Sequence, residues 1–174
     1  SLVPGGCFYK TPLEDVLKFA KEKFPRQAGW PAISLVIPHR ERKRINAAQN
    51  VATKPEDAVL VEGEDGRMWL QPGLKMVGHL QGKQHGVCNS AFYTILAMGE
   101  TVRVRCELTQ KELDLPWDFV KGKLRLCFAV TQASCQGMTL AGRVRIFSGH
   151  PMFTRKNLYV CSSRATSAAL LEVV

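Results

Sequence analysis

Residues 33–37, Ile-Ser-Leu-Val-Ile, form a run that is short, almost wholly apolar and rich in β-branched side chains. Five residues are too few for an amphipathic helix, and the run has no alternation that would turn one face to water. It reads as a buried strand. Residues 124–131 read as a second buried strand, and residues 142–147 as a third, with Arg143 and Arg145 alternating against Val144 and Ile146. Residues 170–174 read as a final strand. Strands separated by helical stretches imply an α/β domain built on a parallel sheet.

The helical stretches have their own signals. Over residues 11–24, Leu13, Val16, Leu17, Ala20 and Phe24 recur at helical spacing. Thr11 is the expected cap, Pro12 suits the first turn, Glu14 and Asp15 favour the positive end, and Pro25 stops the helix. A second helix is expected over residues 41–50, with Ile45, Ala48 and Val51 facing inward. Arg40, Arg42, Lys43 and Arg44 make one of its turns strongly basic, which reads as a solvated face or as a phosphate contact. A third helix is expected over residues 155–162.

Between residues 58 and 104 the texture changes. Short apolar stretches (59–61, 74–80, 92–97, 102–106) are separated by Gly63-Glu64-Asp65-Gly66, Gln71-Pro72-Gly73 and Gln81-Gly82-Lys83. That pattern predicts a small, strongly bent β-module, followed by a polar connector over residues 113–123. The expected organisation is therefore 1–57 as the first part of an α/β domain, 58–112 as a β-rich insertion, and 113–174 as the rest of the α/β domain.

Lys and Arg number 24 against 15 Asp and Glu, for a net charge of +9. A surplus of that size favours polyanionic partners, nucleic acid first. The six cysteines, at positions 7, 88, 106, 127, 135 and 161, form no CxxC pair and sit mostly in apolar runs. They read as buried thiols of an intracellular, reducing compartment rather than as a zinc site or a disulfide framework. No signal peptide and no apolar run of about 20 residues is visible, so no membrane partner is expected.

Motifs for self-sufficient catalysis are missing. Residues 78–83 approach GxxxxGK[ST] but have one residue too few between the glycines, and Gln84 follows the lysine. His39, His79, His85 and His150 are scattered, and Ser162 and Ser163 have no His and Asp pattern near them. No metal site is expected.

Two segments near the end carry the most specific signal. Strand residues lead into Thr131-x-x-x-x-Gln136-Gly137-Met138-Thr139-Leu140, and about twenty residues later comes Leu158-Tyr159-Val160-Cys161-Ser162-Ser163-Arg164. Both read as polar loops at the rim of the sheet, where α/β proteins place ligands. The first resembles motif V of superfamily 1 helicases, T-x-H-K-S-Q-G-x-T, and the second resembles motif VI, L-Y-V-A-x-S-R. The family's His-Lys pair falls on Ala133 and Ser134. Residues 33–46, ending in Ile45-Asn46, resemble the preceding strand and helix of the RecD/Dda-like branch. Leu70-x-x-Gly73-x-x-Met76 with Asn89-x-x-x-Tyr93-x-Ile95 resembles the start of that branch's SH3-like insert.

The resemblance implies a RecA-like parallel sheet with helices on both faces, interrupted by a small SH3-like insertion, as in the C-terminal motor domain of a helicase of viral type. It implies ATP and Mg²⁺ held with a preceding RecA-like domain that carries the Walker A loop and the acidic box, and no activity for this half alone. Arg164 would be the arginine finger. Gln136, Gly137 and Thr139 would lie at the nucleotide, and His39, Arg40, Thr131 and Ser134 along single-stranded DNA or RNA. The nucleus or a viral replication site would suit such a protein. Trp69, Trp117, His85, Asn89 and Tyr93 are further candidates for contact, with packing or turn roles as the simpler reading. The competing expectation is a non-catalytic nucleic-acid-binding or protein-interaction module of helicase-like shape.

Overall fold

The computed structural model describes residues 10–135 and 137–174. In chain order the elements are α1 (Leu13–Lys23), β1 (Ile33–Val36), α2 (His39–Thr53), β2 (Val59–Gly63), β3 (Gly66–Leu70), β4 (Lys75–Gly78), β5 (Lys83–Gln84), β6 (Val87–Cys88), β7 (Phe92–Met98), β8 (Val102–Cys106), β9 (Glu112–Leu115), α3 (Trp117–Lys123), β10 (Leu124–Leu126), β11 (Ala129–Thr131), β12 (Val144–Ile146), α4 (Arg155–Ser162), a 3₁₀ turn (Ala168–Leu170) and β13 (Leu171–Val173). They divide into two compact units, Ser1–Arg42 with Ala129–Val174, and Lys43–Phe128. The insertion expected at 58–112 lies inside the second. Among the described residues no helix is long and apolar enough to cross a membrane.

The first unit is built on a parallel four-stranded sheet in the order β11-β1-β12-β13. Every residue of these strands is buried, as a parallel sheet covered on both faces requires. Helix α1 packs against β13 and α4 against β12. The expected cap of α1 is displaced by one residue. Pro12 occupies the N-cap, and the Thr11 carbonyl instead accepts a hydrogen bond from the Arg155 guanidinium.

Burial on both faces leaves no solvent side for the charges of β12. Arg145 is 3 % exposed and Glu172 on β13 is fully buried. Arg145 Nε donates to the Glu172 carboxylate at 2.6 Å, and Arg143 Nη1 lies 3.4 Å from its other oxygen. The two guanidinium groups also donate to four successive carbonyls: Gln27 and Gly29 from Arg145, Ala28 and Trp30 from Arg143. The alternation read in the sequence therefore does not mark a wet edge. It marks an ionic clamp that fixes the approach to β1.

In the second unit the main sheet is antiparallel, in the order β10-β4-β7-β8-β9, with the small hairpins β2-β3 and β5-β6 beside it. Leu70, Met76, Tyr93, Ile95, Val102, Val104, Leu115, Val120 and Leu124 form one buried cluster. The alternating burial of β8 is that of a strand with one face on a core. Gly78 permits a close approach here, since a Cβ on it would sit 2.3 Å from the Cys88 carbonyl oxygen. The glycine that begins the near-miss phosphate loop therefore serves packing.

Three expectations change. Residues 124–131 are two strands, not one: β10 pairs with β4 in the antiparallel sheet and β11 with β1 in the parallel sheet. The polar connector at 113–123 contains the end of β9 and all of α3. On α2, Ile45 is buried as expected, but Ala48 and Val51 are exposed and the buried face carries Arg42, Asn46, Gln49 and Asn50. Asn50 shows why polar residues fit there. Its amide donates to the Trp69 carbonyl at 2.9 Å and accepts from the Trp69 N–H at 2.7 Å, satisfying two backbone groups at once.

Candidate functional site

At the carboxyl edge of the parallel sheet, β11 ends beside β1, with Val36 opposite Thr131 and the Gln132 N–H on the Val36 carbonyl at 2.8 Å. The chain then turns at once. The N–H groups of Ser134 and Cys135 both donate to the Thr131 carbonyl, at 2.9 and 3.2 Å. The hydroxyls of Thr131 and Ser134 are 2.7 Å apart and hydrogen-bonded. The structure thus joins these two predicted residues into one group, with Thr131 buried and Ser134 exposed. Gln136 lies outside the described residues, as does Cys7. Gly137 has φ +84°, a left-handed conformation that only glycine adopts without strain. Gly137 and Thr139 are exposed.

The second predicted loop is set by α4. Thr154 caps it in a reciprocal box, its hydroxyl accepting from the Asn157 N–H at 3.2 Å while the Asn157 side chain accepts from the Thr154 N–H at 2.8 Å. Leu158 and Cys161 turn inward, which leaves Ser162, Ser163 and Arg164 at the end of the helix. Arg164 is half-buried. Its Nε donates to the Val160 carbonyl at 3.2 Å and its Nη2 to the Ser163 hydroxyl at 3.0 Å. Nη1 reaches the Met138 carbonyl at 3.4 Å, and the Leu140 N–H donates to the Arg164 carbonyl at 2.9 Å. Leu140 and Ala165 form a parallel bridge. The two segments singled out in the sequence are therefore hydrogen-bonded to each other through Arg164.

Residues 131–140 and 155–166 contain no Asp or Glu. These segments offer backbone N–H groups, hydroxyls, the Arg164 guanidinium, and Arg155 (engaged with Thr11) and Lys156 besides, a donor set suited to an anion and unsuited to a metal cation. Among the described residues no three His, Cys, Asp or Glu side chains cluster as a metal site.

His39 and Arg40 stand apart from this network, exposed in the first turn of α2. Next to them, where β1 and β12 end, is an open cleft of about 250 Å³ lined by Val36, Ile37, Pro38, Glu41, Phe147, Gly149, His150 and Pro151. The His150 Nδ1 accepts from the Met152 N–H at 3.2 Å, which leaves Nε2 as the donor. Sequence reasoning missed Glu41, Phe147 and His150, because only the sheet order brings 147–151 beside 36–41. It also missed that Leu140 and Ala165 pair in a parallel bridge.

The candidates in the second unit have packing roles. Tyr93 is 1 % exposed, and its hydroxyl accepts from the Cys88 N–H at 2.8 Å. Trp117 donates to the Gly99 carbonyl at 2.9 Å. The Trp69 ring is covered by Lys54 Nζ at 4.3 Å. His85 meets Phe119 edge-on at 4.7 Å, and Asn89 accepts from the Leu80 N–H at 3.4 Å.

No protein-family model and no curated protein matches the sequence. Solved structures do match the fold. A Bacteroides Pif1 bound to ssDNA superposes with a TM-score of 0.70 at 17% identity, covering 95% of this chain and 46% of that one. Pif1 helicase from Candida albicans gives 0.64 at 15% identity, covering 94% and 50%. Bacteroides Pif1 in complex with ADP-AlF3 and ssDNA gives 0.63 at 18% identity, covering 93% and 45%. The chain has the α/β fold of these superfamily 1 helicases and spans about half their length.

Proposed function

We propose that this chain is the C-terminal motor domain of an ATP-dependent superfamily 1 helicase of the RecD/Dda-like branch that moves on single-stranded nucleic acid. The observation that carries the reading is the network in which Arg164 joins the 158–164 segment to residues 138–140, on a fold that spans about half of each matched Pif1 helicase. The ATP and its Mg²⁺ would be bound mainly by a second RecA-like domain, because segments 131–140 and 155–166 have donors and no carboxylate. The nucleotide supplies a phosphoryl group whose transfer builds negative charge on its oxygens.

This chain's part is to orient and to stabilise. Arg164 is the arginine finger. Its bonds to neutral carbonyls at 3.2 and 3.4 Å are weaker than the charge-assisted ones a phosphate oxygen would accept. Gly137, Thr139 and Gln136 belong to the loop that would sense the nucleotide, and Thr131 at the end of β11 and Ser134 in the turn after it lie two to eight residues upstream. A change felt at Arg164 is thus transmitted to the loop through the Leu140 N–H and Met138 carbonyl bonds. Single-stranded nucleic acid would cross the carboxyl edge, with His39, Arg40, Thr131 and Ser134 on its phosphates and the cleft at His150 beside them. Hydroxyls, backbone amides and basic side chains position phosphates without reading sequence.

The test joins this chain to a Walker-A-bearing RecA-like domain and measures ATP turnover with and without single-stranded DNA. The reading expects no turnover from this chain alone and DNA-stimulated turnover from the joined protein. Salt-sensitive DNA binding without stimulation of turnover would replace it with the non-catalytic nucleic-acid module.

A further inference from the structure

The cleft where β1 and β12 end has a chemistry unlike that of the segments around Arg164. Of the residues that line it, only Glu41 and His150 bring polar side-chain atoms. Ile37, Pro38, Phe147 and Pro151 give it apolar walls. Glu41, Phe147 and His150 are each half-buried, so the fold holds them and a ligand can still reach them. The sheet brings them to one place. Leu35 on β1 stands opposite Ile146 on β12, and the Phe147 N–H donates to the Leu35 carbonyl at 3.0 Å. Glu41 follows in the first turn of α2. The residue after Gly149 is also fixed: the His150 carbonyl accepts from the Phe153 N–H at 2.8 Å, and its Nδ1 accepts from the Met152 N–H at 3.2 Å. The imidazole proton is therefore on Nε2.

These walls select among ligands. A volume of about 250 Å³ is below the roughly 300–1,000 Å³ of a drug-sized site, so the cleft takes a ring and not a whole cofactor. The Glu41 carboxylate repels an anion placed inside. A metal ion would find one carboxylate and one imidazole, and among the described residues no three such groups cluster. An alkyl chain would cover the carboxylate and the N–H and pair with neither. A cation would suit Glu41 and the face of Phe147, but this unit has twelve Lys and Arg against five Asp and Glu. His39 and Arg40 are exposed at the start of the same helix. A neutral flat ring with a phosphate trailing outside meets every condition, and that is a nucleotide with its base in the cleft.

We propose that this cleft is a guanine slot, in which Phe147 supplies the stacking face, Glu41 the acceptor and His150 the donor. A carboxylate only accepts, and Nε2–H here only donates. Guanine presents two neighbouring donors, N1–H and the N2 amino group, beside the O6 acceptor. Its donor edge can therefore bond both oxygens of Glu41 while O6 takes the His150 proton. Adenine and cytosine set a ring acceptor beside their one amino group, which would face the carboxylate. Thymine and uracil flank their one N–H with two carbonyls. Stacking itself is tolerant of sequence, so the preference comes from Glu41 and His150. The base belongs either to a strand crossing the edge or to a free nucleotide. The strand as source rests on the proposed function; the slot does not.

The chain is titrated with short single strands of alternating thymine and guanine, the same strands with hypoxanthine for guanine, and oligothymidine, followed by fluorescence anisotropy. Hypoxanthine lacks only the N2 amino group. A bidentate base contact discriminates by about 5- to 150-fold, so guanine strands should bind tighter than oligothymidine by a factor in that range, with hypoxanthine between. Glu41→Gln replaces one acceptor oxygen by a donor and should bring guanine down to thymine. A parallel arm titrates guanosine monophosphate and follows backbone amides by NMR, with shifts expected at residues 36–41 and 147–151. Strands that bind equally whatever the base would overturn the slot and leave the nucleic-acid reading standing. Guanosine monophosphate binding at those residues without strand binding would keep the slot, assign it to a free nucleotide and remove that reading. Binding of neither removes both. Tighter binding of N-acetyl-arginine amide than of guanosine monophosphate at the same residues would overturn the slot in favour of a peptide side chain.

Discussion

The two units have equal numbers of basic side chains and use them differently. The first contains twelve Lys and Arg against five Asp and Glu, the second twelve against ten, so +7 of the +9 net charge belongs to the parallel-sheet unit. In the second unit acids stand beside bases along the strands. Arg103 meets Asp114 at 2.9 Å and Arg105 meets Glu112 at 3.0 Å across β8 and β9, and Lys75 meets Glu107 at 3.0 Å. Such cross-strand pairs hold register. In the first unit the Arg143–Arg145–Glu172 clamp is structural, and Arg40 and Lys156 belong to a surplus with too few acids to balance it. Charge in one unit is mostly paired; in the other an excess of positive charge remains, which the proposed function assigns to a polyanion.

That contrast can be broken where it is strongest. Glu172→Ala leaves two arginines in a buried site without their carboxylate and should cost about 3–5 kcal/mol, read as a lower denaturant midpoint. A loss under 1 kcal/mol would mean that the clamp does not hold the parallel-sheet unit. The antiparallel unit depends instead on apolar packing. Met76→Ala, at a fully buried position, should cost about 2–5 kcal/mol, with DNA affinity unchanged wherever the protein remains folded.

A smaller effect sharpens the division of charge. Arg40→Ala should weaken single-strand binding and lower the salt slope by about 0.7 per lost phosphate contact, measured by fluorescence anisotropy across a salt series. Lys83→Ala, exposed in the second unit, should leave the slope as it was. Equal losses from both would erase the distinction between the units.

The smallest effect is on pH. Burial raises the Glu107 carboxyl, but hydrogen bonds from Thr94 and Lys75 outweigh it, and the group is held below its usual 4.5. A depressed carboxyl stabilises the fold above its unfolded pKa, and that contribution is lost as pH falls below about 4.5 and through the lower folded value. Glu107→Gln should therefore flatten the acid limb of the stability curve while changing little at pH 7. An unchanged acid limb would remove Glu107 from the account.

How much of this could be read in advance differs by element. Strand β1 is legible because a β-branched run between turn signals has few other uses. Helix α4 falls on the residues expected for it, 155–162, while the Thr154–Asn157 cap that fixes its start is seen only in the structure. The run at 124–131 misleads because nothing in its apolarity marks where it leaves one sheet for another. The inward face of α2 misleads for a different reason: its buried asparagines answer backbone groups such as those of Trp69, a need that hydrophobic periodicity does not encode. At the candidate site, Arg164 and Gly137 stand out in the sequence. The bond from Arg164 to the Met138 carbonyl, 26 positions apart, exists only once the chain has folded.

The central claim is that Arg164 acts on a nucleotide held by another domain. The most direct measurement is ATP turnover by the joined protein with Arg164→Ala, at saturating single-stranded DNA. The account predicts a fall in kcat of about 10³ to 10⁵, not restored by Arg164→Lys because the planar fork is lost, with nucleotide binding retained. Turnover equal to the unsubstituted protein's would contradict it.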